Sequence, residues 1–199
     1  MRSWSVVVPA KRLAVAKTRL RPLTTTLPGT AHEELVLALL ADTVAAASAC
    51  PAVGAVVVVT DDPAATAVAR GLGARTVGDE PDRGLNPALE HGAREAGGPL
   101  VAALSSDLPS LRPDELARAL DAAATTAPRC FVPDAHGTGT TLLTAVDTDL
   151  GPRFGSGSAG AHRASGARAL SGSWPGRRSR GAPRRNRTRN GAPDRYPRR

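Results

Sequence analysis

Cysteine is scarce in this sequence. Its 199 residues include only two, Cys50 and Cys130, and they lie in separate apolar stretches without CxxC or Cys/His spacing. A disulfide framework or a zinc site would require more such residues at closer spacing. We therefore expect both to be reduced structural thiols.

Long apolar runs are also missing. No segment approaches the length that spans a bilayer, and the N-terminus lacks the continuous apolar stretch and small-residue cleavage site of a signal peptide. These absences predict a cytoplasmic protein without a membrane partner. The length of 199 residues fits one domain large enough for a real core.

Acidic residues are nearly absent from one part of the chain only. The net charge is +8, but residues 174–199 contain ten arginines and one acid, which leaves 16 basic and 17 acidic residues in 1–173. The basic tail is rich in Arg, Pro and Gly and has no apolar periodicity, so we expect it to be disordered. The body is near neutral, and we expect no nucleic-acid partner for it.

The N-terminal stretch 6–20, VVVPAKRLAVAKTRL, shows the first pattern of functional interest. Its apolar, β-branched start predicts a buried strand that ends at Pro9, because proline has no N–H to donate. Lys11, Arg12, Lys17 and Arg19 follow at the strand's carboxyl end, where open α/β sheets bind ligands. This cluster indicates a polyphosphate site, and a solvated basic surface is the open alternative.

Strand and helix patterns alternate along the body. Residues 55–60 are a continuous apolar run typical of a parallel strand covered on both faces, and residues 100–104 predict another buried strand. Thr30 and Glu33 have the spacing of a capping box, Asp62 precedes Pro63 as an N-cap, and Asn86–Pro87 is expected to cap a helix over 88–96. The pattern predicts an α/β fold.

Asp107 follows the apolar run 100–104 after two serines. A carboxylate at the end of a central strand is suited to Mg²⁺, which takes one or two carboxylates and completes its shell with phosphate and water. Asp107 is therefore the candidate metal ligand. The alternative is an aspartate that closes a turn before the helix predicted from Pro113 to about Thr126.

Two glycine-rich stretches could hold an anion. Residues 134–141, DAHGTGTT, lie between two predicted strands and offer backbone N–H groups and hydroxyls. Residues 154–160, FGSGSAG, contain GxGxxG, but no convincing strand precedes it and no acid follows about twenty residues later. A loop that lends N–H groups and Ser158 to an anion fits better than a dinucleotide site.

Several stretches together resemble one family, the actinobacterial phosphoenolpyruvate or 2-phospho-L-lactate guanylyltransferases of coenzyme F-420 biosynthesis. The resemblance covers nearly all of residues 4–175 in the family's order. The stretches are VPAKRLAVAKTRL (8–20), LALLADTVAA (37–46), VVVTDDP (57–63), GLN (84–86), SDLPSLRPDEL (106–116), GTGTTLLTA (137–145) and PRFGSGSAGAHRASGA (152–167).

The resemblance implies a three-layer nucleotidyltransferase fold of the nucleotide-diphospho-sugar transferase type, with a mostly parallel sheet. It implies GTP and phosphoenolpyruvate, or 2-phospho-L-lactate, as substrates and pyrophosphate as a product. Charge neutralisation would come from Lys11, Lys17, Arg19 and a Mg²⁺ ion on Asp107. Whether the protein forms a homodimer stays open.

Individual roles also follow from the resemblance. Thr140, Gly155 and Ser158 match the family's phosphoenolpyruvate-binding residues, and Asn86 is placed to contact the nucleotide together with Lys11 and Lys17. A phosphoryl oxygen needs no general base, so His91, His136 and His162 are interpreted as structural or solvent-facing.

The chain departs from the family after Trp174–Pro175–Gly176, where members continue with an Asp-Val-Asp-Thr-Pro stretch and a final helix. That aspartate would supply a second carboxylate. We therefore expect a guanylyltransferase domain over 1–173 that lacks the family's C-terminal segment, followed by the tail 174–199. The switch in composition suggests a shifted reading frame, which resequencing the locus would test.

Two alternatives to a phosphoenolpyruvate guanylyltransferase remain open. One is a nucleotidyltransferase with another acceptor, such as a molybdopterin, and the other is an inactive homologue that binds ligands.

Overall fold

A seven-stranded mixed sheet forms the centre of the computed structural model, which describes residues 3–10, 30–80 and 83–171. The strand order is β3-β2-β1-β4-β6-β5-β7. The strands are β1 (Trp4–Pro9), β2 (Val53–Val59), β3 (Arg75–Val77), β4 (Leu100–Leu104), β5 (Arg129–Pro133), β6 (Thr140–Val146) and β7 (Arg168–Ala169). β1 to β4 are mutually parallel, whereas β6 runs antiparallel to both β4 and β5.

Helices cover both faces of this sheet, which confirms the predicted three-layer α/β fold. They are α1 (Ala31–Ser48), α2 (Pro63–Gly71), α3 (Leu85–Ala96), α4 (Pro113–Thr126) and α5 (Ser158–Ala164). Side chains alternate along β1, so Val6 and Val8 pack with α1, α2 and α4, whereas Val7 packs with α3. None of these helices has the length and apolar character required to cross a bilayer.

The antiparallel placement of β6 determines where the predicted site residues meet. Leu104 at the end of β4 pairs with Leu142 near the start of β6, and Thr140 pairs with Pro133 at the end of β5. The first residues of β6 therefore lie at the same edge as the carboxyl ends of β1, β2 and β4. We call this the carboxyl edge.

The predicted N-terminal helix caps were confirmed at one helix and were wrong at two others. The Asp62 carboxylate accepts hydrogen bonds from the N–H groups of Ala64 (2.9 Å) and Ala65 (3.1 Å), as an N-cap should. The predicted capping box at Thr30 does not form: its backbone is already helical (φ −83°, ψ −16°), and its side chain makes no capping bond. The third predicted helix begins earlier, at Leu85, so Asn86 is not its cap.

Both cysteines are free and buried, as the sequence predicted. Burial is the largest cause that raises the pKa of the Cys50 thiol and of the Cys130 thiol. Neither is therefore an activated nucleophile.

Gly92 allows α3 to approach the sheet closely. A Cβ atom at this position would lie 2.5 Å from a methyl of Val59 and 2.6 Å from a methyl of Val7. Both valines are fully packed in the core, with at most 1% exposed. We expect Gly92→Ala to lower the free energy of unfolding by about 1–3 kcal/mol, measured by urea titration, because the packed core cannot yield without strain.

The matched control is Gly71→Ala in α2, where an added Cβ would meet no atom within 4 Å. Alanine costs less backbone entropy than glycine in a helix, so this variant should be unchanged or slightly more stable. Equal destabilisation of both variants would contradict the packing argument.

Candidate active site

Asp107 lies at the carboxyl edge in the loop that leaves β4. It is half-buried, and the loop is tied to β6 by a hydrogen bond from the Ser105 N–H to the Thr141 carbonyl (2.9 Å). On its other side, the Leu108 N–H donates to Oγ1 of Thr43 in α1 (2.9 Å). Asp107 is therefore held between two anchored neighbours.

Thr43 is a structural contributor that sequence reasoning missed. Its hydroxyl is fully buried and donates to the Leu39 carbonyl (2.8 Å) while it accepts from Leu108. The available signal was a polar residue inside an otherwise apolar helical face. What that residue would contact could not be read from the chain, because Leu108 lies 65 residues away.

Thr140 and Ser158, two of the predicted acid-binding residues, are brought together by α5. Ser158 is the first residue of α5, and His162 lies one turn later on the same face. His162 Nδ1 is 2.9 Å from Oγ1 of Thr140. The Ala159 N–H also donates to the Thr138 carbonyl (3.0 Å), which fastens the start of α5 to the β5–β6 hairpin.

The loop before α5 presents main-chain N–H groups beside these hydroxyls. Gly155 (φ 134°) and Gly157 (φ 71°) adopt backbone angles that favour glycine. Among residues 3–10, 30–80 and 83–171, no acceptor is found for the N–H groups of Gly155, Ser156 and Gly157, and the Ser158 hydroxyl has no partner. Successive donors of this kind are suited to an anion.

Asn86 fixes this loop from the opposite side. Its Oδ1 accepts from the Phe154 N–H (2.7 Å), and its Nδ2 donates to the Phe154 carbonyl (3.1 Å). A paired contact of this type holds the main chain immediately before Gly155. The observed role of Asn86 is thus to position the loop, and its contact with the nucleotide stays a prediction.

The described site residues all lie at the carboxyl edge, on α3, β6, α5 and the loops that follow β4 and precede α5. Lys11, Lys17 and Arg19, the predicted cations, and the tail 174–199 lie outside the described residues. A separate groove of about 580 Å³ lies at the opposite edge, between α3 and residues 148–151. It contains none of the predicted site residues.

His162 is a buried residue whose role at the site the sequence did not reveal. It is 0% exposed, and burial, with smaller contributions from the charges of Arg129 and Arg153, lowers its pKa from 6.5 to about 4. The ring is therefore neutral at pH 7.

This lowered pKa predicts an acid-sensitive stability. Between pH 6.5 and about pH 4 the unfolded chain binds a proton at His162 that the folded chain does not, so stability falls as pH falls through this window. We expect His162 alone to account for a loss of up to about 3 kcal/mol by pH 4. Urea unfolding at several pH values checks this, with His162→Asn as the non-titrating reference. Parallel pH profiles for the two proteins would contradict the prediction.

The chain is similar in sequence to known nucleotidyltransferases. The model of the MobA-like NTP transferase domain matches residues 23–174. A phosphoenolpyruvate guanylyltransferase of Geodermatophilus obscurus is 72% identical over 178 residues, covering 88% of this chain and 82% of the relative. One from Salinispora arenicola is 56% identical and covers 86% and 80%, respectively.

Solved structures show the same fold at low sequence identity. A Desulfovibrio desulfuricans structure assigned as a nucleotide-diphospho-sugar transferase has a TM-score of 0.64 at 14% identity, covering 85% of this chain and 80% of that one. The Mycobacterium tuberculosis glucosyl-3-phosphoglycerate synthase, in complex with Mn²⁺ and UDP, has a TM-score of 0.52 at 16% identity, with 73% and 57% covered. The extent and identity of the sequence matches show that this chain is a nucleotidyltransferase that belongs to the phosphoenolpyruvate guanylyltransferase family.

Proposed function

We propose that this chain transfers GMP from GTP to phosphoenolpyruvate, with 2-phospho-L-lactate as the alternative acceptor. A phosphate oxygen of the acid attacks the α-phosphorus of GTP, and the bond from that phosphorus to the β-phosphate oxygen breaks. Pyrophosphate leaves with the electron pair. The product is enolpyruvyl-diphospho-5′-guanosine, or lactyl-diphospho-5′-guanosine, for coenzyme F-420 biosynthesis.

One observation carries this proposal: hydrogen-bond donors without partners among the described residues lie at the carboxyl edge, where Asp107 also lies. The donors are the hydroxyl of Ser158 and the N–H groups of residues 155–157. Thr140, 7% exposed, adds a hydroxyl next to them. These groups suit the phosphate and carboxylate of a small acid, and the names of the curated relatives support the choice of acid.

The remaining catalytic requirement is charge neutralisation on the triphosphate. A phosphate oxygen is already nucleophilic, so alignment and electrostatics supply most of the rate enhancement. We assign Lys11, Lys17 and Arg19 to the phosphates of GTP because they follow β1 directly in sequence. Asn86, which holds Phe154 at the start of the acid loop, is also assigned a contact with the nucleotide.

The described residues fit a Mg²⁺ ion that retains water and phosphate ligands. They contain no group of three or more His, Cys, Asp or Glu that could form a complete protein cage. Mg²⁺ usually needs only one or two carboxylates when a nucleotide supplies the other ligands, and Asp107 offers one at the carboxyl edge. When bound, the ion would neutralise phosphate charge.

The test is an assay on the full purified chain with Mg²⁺, GTP and either acid. We expect pyrophosphate release that requires the acid, together with a guanosine-containing diphosphate product identified by mass spectrometry. Reactions without acid, and with ATP in place of GTP, are the controls. GTP binding without pyrophosphate release from either acid would instead support an inactive ligand-binding homologue.

A further inference from the structure

The two ring nitrogens of His162 make different hydrogen bonds. Nε2 lies 2.9 Å from the main-chain nitrogen of Arg153, and Nδ1 lies 2.9 Å from Oγ1 of Thr140. The ring of Phe154 packs edge-on against the imidazole, with centroids 5.1 Å apart. His162 is therefore held in one orientation.

These contacts determine the tautomer. A main-chain N–H can only donate, so Nε2 must accept from Arg153 and carry no proton. The buried ring is neutral at pH 7, and its single proton must then be on Nδ1. Nδ1–H donates to the hydroxyl oxygen of Thr140.

The tautomer in turn determines the direction of the Thr140 hydroxyl. Because its oxygen already accepts from His162, its own hydrogen is available to an acceptor elsewhere. No such acceptor is found in the described part of the chain. The neighbouring donors at Ser158 and residues 155–157 make this position suited to an anion.

We propose that His162 is a positioning residue that orients the Thr140 hydroxyl as a hydrogen-bond donor to the acidic substrate. The same ring holds the Arg153 N–H, so it also fixes one end of the loop that Asn86 holds at Phe154. The inference rests on the proposed function, because it assumes that an acidic phosphate ester binds beside Thr140.

Nitrogen NMR of the histidine-labelled full chain tests the first step without turnover. We expect the His162 signals of a neutral ring with the proton on Nδ1 at pH 7. A proton on Nε2 would overturn the proposal, because Thr140 would then be the donor to the ring.

Two amide variants separate the two ring contacts. In His162→Asn the side-chain NH₂ can replace Nδ1–H, so the bond to Thr140 is kept and the bond from Arg153 is lost. In His162→Gln the amide oxygen can replace Nε2, so the bond from Arg153 is kept and the donor to Thr140 is lost. We expect the KM for the acid to be about tenfold higher in the Gln variant than in the Asn variant, as the loss of one charge-assisted contact implies. The KM for GTP should differ much less between them.

Matched measurements distinguish positioning from packing. His91→Gln in α3 is the control, because it makes the same substitution at a histidine unrelated to the site. Equal increases in the acid's KM for both His162 variants would overturn the proposal in favour of a packing role. In a Thr140→Val background, His162→Gln should cause no further increase, and an additive effect would also overturn it.

If the proposed guanylyl transfer does not occur, the measurements give a different pattern from failure of the His162 proposal. Wild-type protein would release no pyrophosphate with either acid, while the tautomer measurement would still stand. Calorimetric affinity for phosphoenolpyruvate then replaces KM in the comparison of the two His162 variants. A difference of about tenfold supports the positioning role, and equal affinities contradict it.

Discussion

Replacing Asp107 with asparagine is expected to lower the rate of pyrophosphate release by about a thousandfold or more, which corresponds to roughly 4 kcal/mol of transition-state stabilisation. Asparagine keeps the size of the side chain but removes the negative charge that attracts Mg²⁺. Initial rates at saturating GTP and acid, measured across a Mg²⁺ titration, are the appropriate measurement. The variant should also require more Mg²⁺ than the wild type, and a chelator should abolish activity in both.

The structure supplies a matched control for this substitution. Asp149 is exposed and lies beyond β6, at the opposite edge of the sheet from Asp107. Asp149→Asn makes the same chemical change and should leave the rate within about twofold of wild type, as expected for a surface site. An Asp107→Asn protein with wild-type rates and wild-type Mg²⁺ dependence would contradict the metal assignment.

The Asp107 loop has two anchors that Asp107→Asn leaves in place. Its two anchors, the Ser105 N–H to the Thr141 carbonyl and the Leu108 N–H to Thr43 Oγ1, do not use the Asp107 side chain. Urea unfolding curves of wild type and Asp107→Asn, measured beside the rates, show whether the folded protein is retained. A loss of activity in a stable protein can then be attributed to the carboxylate.

Replacing Thr140 with valine is expected to raise the KM for the acid by about 10- to 100-fold while the KM for GTP changes much less. Valine keeps the branched shape but cannot donate to a phosphate or carboxylate oxygen, and a hydrogen bond to a charged group contributes about 1.5–3 kcal/mol. The substitution also leaves His162 Nδ1–H without its acceptor. Steady-state kinetics with each substrate varied in turn provides the measurement.

Thr141→Val is the matched control, one position along β6. Its hydroxyl donates to the Val132 carbonyl (3.2 Å), so it takes part in the hairpin and makes no contact with His162. We expect some loss of stability but no selective change in the acid's KM. If Thr140→Val instead raised the KM for GTP more than that for the acid, the two substrates would have been assigned to the wrong loops.

Features that depend on neighbours in sequence were predicted well. The continuous apolar run of β2 indicated a parallel strand, that of β4 indicated a buried strand, and Asp62 before Pro63 marked the start of α2. The glycine-rich stretches were correctly placed in loops, and their binding of an anion stays a prediction. The capping box at Thr30 shows the limit of spacing alone, because the helical backbone of Thr30 keeps its hydroxyl from the capping position.

Residue type and spacing by themselves thus determined the fold class, the position of Asp107 just after a strand, and the location of the glycine-rich polar loops. Only the tertiary structure decided what those loops contact. Asn86 meets Phe154 across 68 residues, Leu108 meets Thr43 across 65, and His162 meets Thr140 because α5 packs beside the first residues of β6. The physical reason is that backbone periodicity and helix caps involve residues a few positions apart, whereas these hydrogen bonds depend on strand order and direction, which no short segment encodes.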